Sequence, residues 1–511
     1  MQMKVRHHIV PQSHSQPAPT LPLVPTGAAT AYPVWVLSQR QLAELESVIA
    51  SLQMAPLGYL EQTEHASVLS HARYADGMPC ALPIALDVTA EFARQCAPGK
   101  TIALTQPDGT PAALLAVSSV YPAAVCALAT LHTGRSDADA APNVLFRTQH
   151  NETLLGGKLT HFSAPRHFEF PELRCPAERA MPRHAARCAW VSKRFPDAAQ
   201  LSALQRALPK EQGLLVLTWL SQPQDPLEHA RIRAMQRGLA ARFAARAEDV
   251  LLPQAAPIGE RELLWCALAA RRLGCRTLLW AAQESAPLSV SVVPVAEMGR
   301  ACGIDVMVLG AAGAGADGGP EQAACSDRVR RASARGGATI FLTGLSGAGK
   351  STLARALCAR LADAGRRSPL LDGDIVRRDL SSELGFSRAH RDLNIRRIAA
   401  VAAQITRHGG IAVCAPIAPF RAARRAARAH VNEYGLFIEV YVATPLQVCE
   451  QRDVKGLYAR ARAGLLAEFT GISAPYETPQ EAELSIDTRS TDVEAATDLI
   501  MKALRRHGLT E

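Results

Sequence analysis

Aromatic residues are scarce in this sequence: they make up 5% of its 511 residues, although 48% of the residues are hydrophobic. Few aromatic side chains predict helices packed mainly through alanine and leucine, and the hydrophobic content excludes a wholly disordered or fibrous protein. At about 150 residues per domain, a chain of this length is expected to form three or four domains.

Long apolar runs and paired cysteines are also missing. No apolar run reaches the roughly 18 residues that a membrane span requires, and the polar start Met1–Ser13 lacks the apolar segment of a signal peptide. The twelve cysteines are dispersed, with no CxxC pair and no zinc-ligand spacing, so most are expected to be small buried residues. We therefore expect a soluble protein of the reducing cytoplasm that does not contact a membrane.

The excess of positive charge is small for this length. Lysine and arginine number 56 against 47 acidic residues, which gives a net charge of +9. The densest basic stretch, Arg421 to Arg428, has no interleaved aromatic residues of the kind that stack on bases. Small anionic substrates account for the charge equally well, so no nucleic-acid partner is expected.

Composition and periodicity divide the chain into five parts. Residues 1–30 are expected to be a flexible tail, 31–170 a mainly β domain with some helix, and 171–310 an α/β domain with a parallel sheet. Residues 311–335 begin with a stretch of almost only glycine and alanine and are predicted to be a linker. The last domain is expected over 336–511, which makes the fold class α/β multidomain.

The strongest chemical signal is a phosphate-binding loop at the start of the last domain. An apolar strand, Ala338 to Thr343, leads into a loop of the pattern GxxxxGK[ST], and a helix is predicted over Leu353 to Ala364. Glycines let backbone N–H groups point at phosphate oxygens, Lys350 neutralises the β and γ phosphates of ATP, and Ser351 can ligate Mg²⁺. The predicted ATP-binding residues are Gly344, Leu345, Ser346, Gly347, Ala348, Gly349, Lys350, Ser351 and Thr352.

Two carboxylates follow the next predicted strand, Ser368 to Leu371. Asp372 and Asp374 are expected at the carboxyl edge of a parallel sheet, where ligands of such folds bind. A carboxylate there can orient Mg²⁺ or accept a proton from an attacking hydroxyl. The alternative is a structural turn in which Asp374 caps the helix that follows.

Further motifs in the last domain resemble the adenylylsulfate kinases from about Ala338 to Leu509. These enzymes phosphorylate the ribose 3′-hydroxyl of adenosine 5′-phosphosulfate, with ATP and Mg²⁺. The carrying segments are Asp372-Gly373-Asp374 with Arg377, Leu384-Gly385-Phe386-Ser387, Arg391, Asn394-Ile395-Arg396-Arg397, Ile417-Ala418-Pro419-Phe420-Arg421, Asp453-Val454-Lys455-Gly456-Leu457-Tyr458 and Phe469-Thr470-Gly471.

The resemblance implies a role for each of several residues. Asp372 would be the catalytic carboxylate, and Lys350 would be the second catalytic residue. Two aromatic residues would sandwich the adenine of the acceptor. Cations and an amide would hold the rest of the acceptor. The implied acceptor-binding residues are Asp374, Arg377, Phe386, Arg391, Asn394, Lys455 and Phe469.

Each of these roles has a structural alternative. Arg391 and Arg396 could be solvated helix arginines, and Phe386 and Phe469 could be core aromatics. One residue departs from the family pattern, since Ala418 stands where some members carry a serine described as a phosphorylated intermediate. Direct in-line transfer needs positioning, Mg²⁺ and a base, so this departure is not expected to abolish activity.

Residues 34 to about 310 resemble ATP sulfurylases, which make adenosine 5′-phosphosulfate from ATP and sulfate. The resemblance implies a PUA-like β domain followed by a nucleotidyltransferase-like α/β domain. It is carried by Leu37-Ser38-Gln39-Arg40-Gln41-Leu42, Tyr74-Ala75-Asp76-Gly77, Leu82-Pro83-Ile84-Ala85-Leu86-Asp87-Val88, Gly156-Gly157-Lys158 and Phe170-Pro171-Glu172-Leu173-Arg174.

The working motif of the sulfurylases is altered in this chain. Where that family reads QTRNPxHRAH, Gln224 and Asp225 replace the arginine and asparagine, and Glu228 and Arg231 replace the two histidines. His229 is out of register and is expected to be an ordinary surface or N-terminal helix residue. The second motif, near Ala281 to Pro287, has lost its arginine and histidine.

We therefore expect an adenylylsulfate kinase whose front half is an inactive sulfurylase-like module. One alternative is a bifunctional enzyme that also adenylylates sulfate. Another is a non-catalytic nucleotide-binding regulator, with the P-loop domain as a switch. Substrates are expected to be ATP and adenosine 5′-phosphosulfate, and the chain is expected to form a homo-oligomer.

Overall fold

The computed structural model describes most of the chain. The described residues are 21–25, 31–53, 57–174, 187–192, 198–208, 212–220, 222–243, 246–253, 260–281, 299, 301–309, 319–453 and 455–511. Within them, no helix combines the length and the apolar character that crossing a membrane requires.

The first unit is built on a mainly antiparallel sheet. Its strands follow the order β1-β4-β5-β6-β2, and β3 pairs with β6. Its elements are β1 (Val34–Val36), α1 (Gln39–Ile49), β2 (Gly58–Tyr59), α2 (Gln62–His71), β3 (Leu86–Val88), α3 (Ala90–Ala93), β4 (Thr101–Thr105), β5 (Pro111–Pro122), α4 (Val125–Thr133), α5 (Ala141–Thr148) and β6 (Thr153–Phe162). This confirms the expected mainly β domain with some helix.

Part of the predicted flexible tail contacts the first unit. Residues 1–20 and 26–30 lie outside the described residues, but 21–25 are held against the sheet. The Phe162 N–H donates to the carbonyl of Pro22 at 2.9 Å, and the Val24 N–H donates to the Ser163 hydroxyl at 3.1 Å. The end of β6 thus pairs with this segment, a contact that a proline-rich composition does not reveal.

The second unit contains the expected parallel sheet. All four strand pairs are parallel, in the order β11-β10-β7-β8-β9. Its elements are β7 (Arg187–Val191), α6 (Ala198–Ala207), β8 (Gly213–Trp219), α7 (Pro226–Phe243), β9 (Ala247–Leu252), α8 (Glu260–Arg272), β10 (Cys275–Ala281) and β11 (Asp305–Leu309). One continuous apolar core, from Leu37 to Ile304, joins this unit to the first.

The third unit is a second parallel sheet, in the order β13-β14-β12-β15-β16. Its elements are α9 (Gly319–Ser333), β12 (Ala338–Thr343), α10 (Lys350–Asp363), β13 (Leu370–Asp372), α11 (Gly373–Leu380), α12 (Arg388–Arg407), β14 (Ile411–Ala415), α13 (Arg421–Asn432), β15 (Leu436–Val442), α14 (Leu446–Arg452), α15 (Leu457–Arg462), β16 (Leu484–Ile486) and α16 (Val493–Arg506). Successive residues of β12 enter two separate cores: Ile340 packs on one face of the sheet and Phe341 on the other.

Part of the predicted linker is helical. Residues 310–318 lie outside the described residues, but Gly319–Ser333 forms helix α9. The Arg366 guanidinium, which is 1% exposed, donates to the carbonyls of Ala332 at the end of α9 and of Leu509 near the C-terminus. This buried arginine fixes the end of α9 to the third unit, while α9 itself packs against α7 of the second unit. The segment after 318 is therefore a helix held between the two units rather than a free linker.

Candidate active site

The phosphate-binding loop connects β12 to α10 and depends on its glycines. A Cβ on Gly344 would lie 2.6 Å from the Val442 carbonyl oxygen, closer than any side chain tolerates. Gly349 is the N-cap of α10 with φ of +102°, a left-handed conformation that favours glycine. The helix consequently begins at Lys350, three residues before the predicted start, and its N-terminus faces the loop.

Lys350 is buried at the base of this loop. Its ammonium donates a 2.7 Å hydrogen bond to the Leu345 carbonyl. Burial lowers the pKa of Lys350 to about 8, against the opposing effect of the Asp372 and Asp374 carboxylates. A bound phosphate would supply the missing negative charge, so the ammonium is placed to gain a strong partner when a nucleotide enters.

The two predicted carboxylates lie at the carboxyl end of β13, at the edge of the sheet beside the loop. Asp372 is 4% exposed and is itself the N-cap of α11, accepting the Asp374 N–H at 3.0 Å. The alternative that made Asp374 the cap is therefore wrong, because α11 begins at Gly373. The Asp374 carboxylate instead pairs with the Lys455 ammonium.

Phe386 offers an open aromatic face. It is 61% exposed, and the Arg377 guanidinium lies over its ring, 4.6 Å from the centroid. Arg377 also donates to the carbonyls of Leu384 and Gly385, at 3.1 and 2.9 Å. The core alternative for Phe386 is wrong, since a core aromatic would not leave most of its surface in solvent.

Arg391 serves the protein rather than facing open solvent. Its guanidinium donates to the Phe386 carbonyl at 2.7 Å, to the Thr470 hydroxyl and to the Glu468 carbonyl. Only 9% of its surface is exposed, so the alternative of a solvated helix arginine is wrong. Arg391 thereby joins the two segments that carry Phe386 and Phe469, and its implied contact with the acceptor stays a prediction.

Asn394 is a buried polar residue of helix α12. It is 5% exposed, and its Oδ1 accepts no hydrogen bond among the described residues. An unpaired buried amide oxygen costs about 1–3 kcal/mol, which a donor on a ligand would recover. Arg396, two residues on, is exposed, as the solvated alternative for it predicts.

Phe469 packs partly into the protein. Its ring meets Tyr458 edge-on, with centroids 5.0 Å apart, and it contacts the core beneath the sheet. The Tyr458 hydroxyl donates to the Ser346 carbonyl of the phosphate loop at 2.9 Å. The core alternative for Phe469 is thus partly right, and the segment with Lys455 is tied to the phosphate loop.

Two neighbours of the site were not predicted from the sequence. The exposed Arg452 donates to the Thr488 hydroxyl at 2.9 Å and lies 3.3 Å from the Gly347 carbonyl oxygen. The turn with Asp108 and Gly109 reaches the site from the first unit. Arg452 stands one residue before the quoted motif, whereas no local signal marks Asp108.

The altered motif of the second unit forms internal contacts. The Arg231 guanidinium, in place of a histidine, donates to the Trp219 carbonyl at 2.8 Å and pairs with Glu228 at 3.0 Å. The backbone N–H of Gln224 donates to the Glu169 carboxylate at 2.7 Å. Of the second motif, only Ala281 lies within the described residues.

His229 is not an ordinary surface residue. It is 1% exposed, and its ring lies between two carboxylates, 2.8 Å from Glu169 Oε1 and 2.9 Å from Asp363 Oδ1. Asp363 is the last residue of α10, the helix that begins at the phosphate loop. The position of the former sulfurylase motif is therefore a contact between the second and third units.

The basic stretch of α13 is largely neutralised by glutamates. Arg424 pairs with Glu439 at 2.8 Å, and Arg428 pairs with Glu483 at 2.6 Å. These arginines thus have protein partners and do not form an open cationic surface.

Comparison with known proteins places two families along the chain. The family model described as Adenylylsulphate kinase matches residues 336–487, and the one described as PUA-like domain matches residues 25–164. The chain is 32% identical over 547 residues to a sulfate adenylyltransferase of Phaeosphaeria nodorum, covering 94% of this chain and 95% of that one. It is 52% identical over 174 residues to an adenylyl-sulfate kinase of Synechococcus sp., covering 34% of this chain and 97% of that one. A solved structure described as a hexameric APS kinase from Thiobacillus denitrificans is 30% identical, covers 94% of both chains and has a TM-score of 0.48.

Proposed function

Because the chain belongs to the sulfate adenylyltransferase family and carries an adenylyl-sulfate kinase domain at its C-terminal end, we propose that it catalyses the kinase reaction. It transfers the γ-phosphoryl group of ATP to adenosine 5′-phosphosulfate. The bond from the γ-phosphorus to the β,γ-bridging oxygen breaks, a bond to the ribose 3′-oxygen forms, and the hydroxyl proton leaves. The products are ADP and 3′-phosphoadenosine 5′-phosphosulfate, the latter a product of sulfate assimilation.

The observation that carries this proposal is the pairing of two incomplete surfaces at one sheet edge. On the ATP side, the phosphate loop from Gly344 to Thr352 offers backbone N–H groups, and the Lys350 ammonium donates to a neutral carbonyl. On the acceptor side, Phe386 presents an open ring, and the Asn394 amide oxygen has no donor among the described residues. Each surface lacks what one of the two substrates supplies.

The acceptor is held, in this proposal, by stacking and by charge. The adenine would lie between Phe386 and Phe469, and Asn394 would accept a hydrogen bond from it or from the ribose. Arg377 and Lys455 would face the phosphosulfate, with Lys455 exchanging its contact to Asp374 for the anionic ligand. Arg391 fixes the spacing of the two aromatic segments.

Asp372 is proposed as the group that receives the hydroxyl proton. Its carboxylate lies at the end of β13, and Lys350 is among the charged groups near it. A fixed carboxylate aligned with the acceptor hydroxyl contributes both orientation and a proton acceptor. Its capping bond to the Asp374 N–H holds the side chain in one orientation.

The same residues suit a magnesium ion. The Ser351 hydroxyl, in the first turn of α10, and the Asp372 carboxylate are oxygen donors of the kind that Mg²⁺ prefers alongside substrate phosphates. When bound with ATP, the ion would offset the negative charge that develops on the transferred phosphoryl group.

We further propose that the sulfurylase-like front half does not adenylylate sulfate. Arg231, Glu228 and His229 are engaged with protein groups where the family offers free donors for ATP phosphates. A carboxylate at Glu228 would in addition repel a triphosphate. The front half is retained, in this proposal, for its contacts with the kinase domain.

The test uses the purified full-length protein in two parallel reactions with Mg-ATP. One receives adenosine 5′-phosphosulfate, and the other receives only sulfate with pyrophosphatase; 3′-phosphoadenosine 5′-phosphosulfate is measured in both. Product in the first reaction alone is expected. Product in both would establish the bifunctional alternative, and product in neither would favour the non-catalytic regulator.

Three further expectations stay predictions. They are the division of the chain into domains at 31–170, 171–310 and 336–511, a location in the cytoplasm, and assembly into a homo-oligomer. The particle mass in solution, measured by light scattering, checks the last of these.

A further inference from the structure

The turn between β4 and β5 of the PUA-like domain reaches the active site of the kinase domain. We call residues 106–110 the β4–β5 turn. We propose that this turn is a positioning element for the kinase reaction, with Asp108 and Gly109 setting the place of Lys455 beside the acceptor site. The proposal rests on the function proposed above.

The turn is fixed by its own hydrogen bonds. The Gln106 N–H donates to the Thr110 carbonyl, and the Gly109 N–H donates to the Gln106 carbonyl, both at 2.8 Å. One carboxylate oxygen of Asp108 accepts the Thr110 N–H at 2.9 Å. Gly109 has φ of +83°, which suits glycine at a tight turn. The turn therefore presents its tip in one conformation.

The second carboxylate oxygen of Asp108 reaches the phosphate-loop helix. It pairs with the Arg355 guanidinium of α10, and both side chains are largely buried, with 15% and 25% of their surfaces exposed. Arg355 Nε in turn donates to the Ser351 carbonyl at 3.3 Å. Asp108 is thereby linked through one arginine to the first turn of the helix that faces the phosphates.

Gly109 lies against the side chain of Lys455. A Cβ added to Gly109 would be 3.0 Å from both Cγ and Cε of that lysine, so the backbone of the turn forms one wall for its alkyl stem. The Lys455 ammonium extends past this wall to the Asp374 carboxylate. A lysine stem confined on one side loses rotamers that would carry its charge away from the acceptor.

Through these two contacts the turn adjoins the kinase site, but it does not itself contact the reacting atoms. Asp108 and Gly109 are positioning residues, because they act through Arg355 and Lys455. This assigns the front half a use that needs no sulfurylase chemistry: it supplies a turn that packs against two side chains of the kinase domain.

The experiment compares full-length variants that alter the turn without removing its internal bonds. Asp108→Asn keeps an acceptor for the Thr110 N–H but removes the charge that faces Arg355. Asp76→Asn is the matched control, because Asp76 caps a turn of the same domain by accepting the Met78 N–H at 2.9 Å and is exposed. Arg355→Gln and the double variant complete a double-mutant cycle.

Asp108→Asn releases the turn from α10 and with it the wall beside Lys455, so we expect the KM for adenosine 5′-phosphosulfate to rise about tenfold, with a smaller change in the KM for ATP. The melting temperature should fall slightly, because the largely buried ion pair is broken. Arg355→Gln should have a similar effect, and the double variant should not add to it. An unchanged acceptor KM, or an equal rise in both KM values, would overturn the proposal.

A second readout does not depend on turnover. Lys455 is labelled with an amine-reactive reagent in the absence of substrate, and its modification is followed by peptide mass spectrometry. Labelling should be faster in Asp108→Asn than in the wild type and in Asp76→Asn, and equal rates would contradict the positioning of Lys455. If the wild type fails to turn over, the proposed function fails while this readout still decides the positioning of Lys455.

Discussion

His229 and Asp363 form a 2.9 Å hydrogen bond that joins the sulfurylase-like domain to the far end of the phosphate-loop helix. The second nitrogen of the imidazole binds Glu169 at 2.8 Å, so the ring lies between two carboxylates. Arg233 contributes a further contact to Asp363 at 3.2 Å and lies over the ring of Phe170. The helix that begins at the nucleotide site thus ends at an ionic contact between domains.

This contact predicts a pH-dependent stability. Burial lowers the pKa of His229, but the hydrogen bonds to Asp363 and Glu169 outweigh burial and raise the pKa above its ordinary 6.5. The stabilisation from the charged imidazole is fully present below pH 6.5 and is lost as the pH rises through the raised value. Burial opposes ionisation of the Glu169 and Asp363 carboxylates, but the hydrogen bonds from His229 lower the pKa of both. The stabilisation from these carboxylates is therefore lost only at acidic pH, below the ordinary pKa of 4.5 for Glu169 and of 3.8 for Asp363.

His229→Gln should therefore destabilise the protein most between about pH 5 and pH 6.5. We expect a loss of about 2 kcal/mol there, below the full cost of an unpaired buried charge because Asp363 is one-third exposed. Thermal unfolding of wild type and variant across pH 5 to 9 measures it, with the exposed His71→Gln as control. A difference between wild type and His229→Gln that does not shrink toward alkaline pH would contradict the assignment.

Local sequence was sufficient for the elements around the nucleotide. The strand Ala338–Thr343 was predicted with its observed bounds, because a short apolar run and a glycine-rich loop are both signals within a few residues. The helix start was missed by three residues, since it depends on the left-handed conformation of Gly349.

Contacts between distant residues could not be predicted from one sequence. His229 and Asp363 are separated by 134 positions, and Arg391 meets the Glu468 carbonyl across 77. Nothing in the residue type distinguishes an arginine that binds an anhydride from one that ties two loops together. The role of such an arginine depends on its hydrogen-bond partner, and that partner is brought close only by the folding of the chain.

Lys350→Ala should abolish turnover while leaving the domains assembled. Removing the ammonium takes away the fixed charge that meets the β and γ phosphates, so we expect kcat to fall about a hundredfold or more. Initial rates with ATP and adenosine 5′-phosphosulfate measure this, and the exposed Lys502→Ala is the control of the same residue type. Retention of more than half of the activity would contradict the placement of ATP.

The same Lys350→Ala variant isolates the front half. With the kinase silenced, any pyrophosphate released from ATP in a sulfate-dependent manner comes from the sulfurylase-like module. We expect no pyrophosphate release above the sulfate-free background, because Glu228 and Arg231 form an ion pair with each other and are not free to bind ATP. Sulfate-dependent release would show that the front half is active.

Phe386 and Phe469 should respond differently to truncation. Phe386→Ala removes a ring that is 61% exposed, so we expect the acceptor KM to rise about tenfold, from a lost stacking contact, with an unchanged melting temperature. Phe469→Ala also removes the contact with Tyr458, so its melting temperature should fall as well. Acceptor titrations and thermal unfolding of both variants distinguish the roles, and equal thermal losses would contradict the exposure of Phe386.

Asn394 provides a test in which folding and binding move in opposite directions. Its buried Oδ1 has no hydrogen-bond donor among the described residues, so Asn394→Ala relieves the free protein of an unpaired polar atom. The melting temperature without substrate should be equal to or above that of the wild type. The acceptor KM should nevertheless rise about tenfold, because the ligand loses a buried hydrogen bond. Saturating acceptor should therefore raise the melting temperature of the wild type more than that of Asn394→Ala, since only the wild type retains the full binding free energy. A variant that is less stable without substrate and equally stabilised by the acceptor would instead assign Asn394 to the fold.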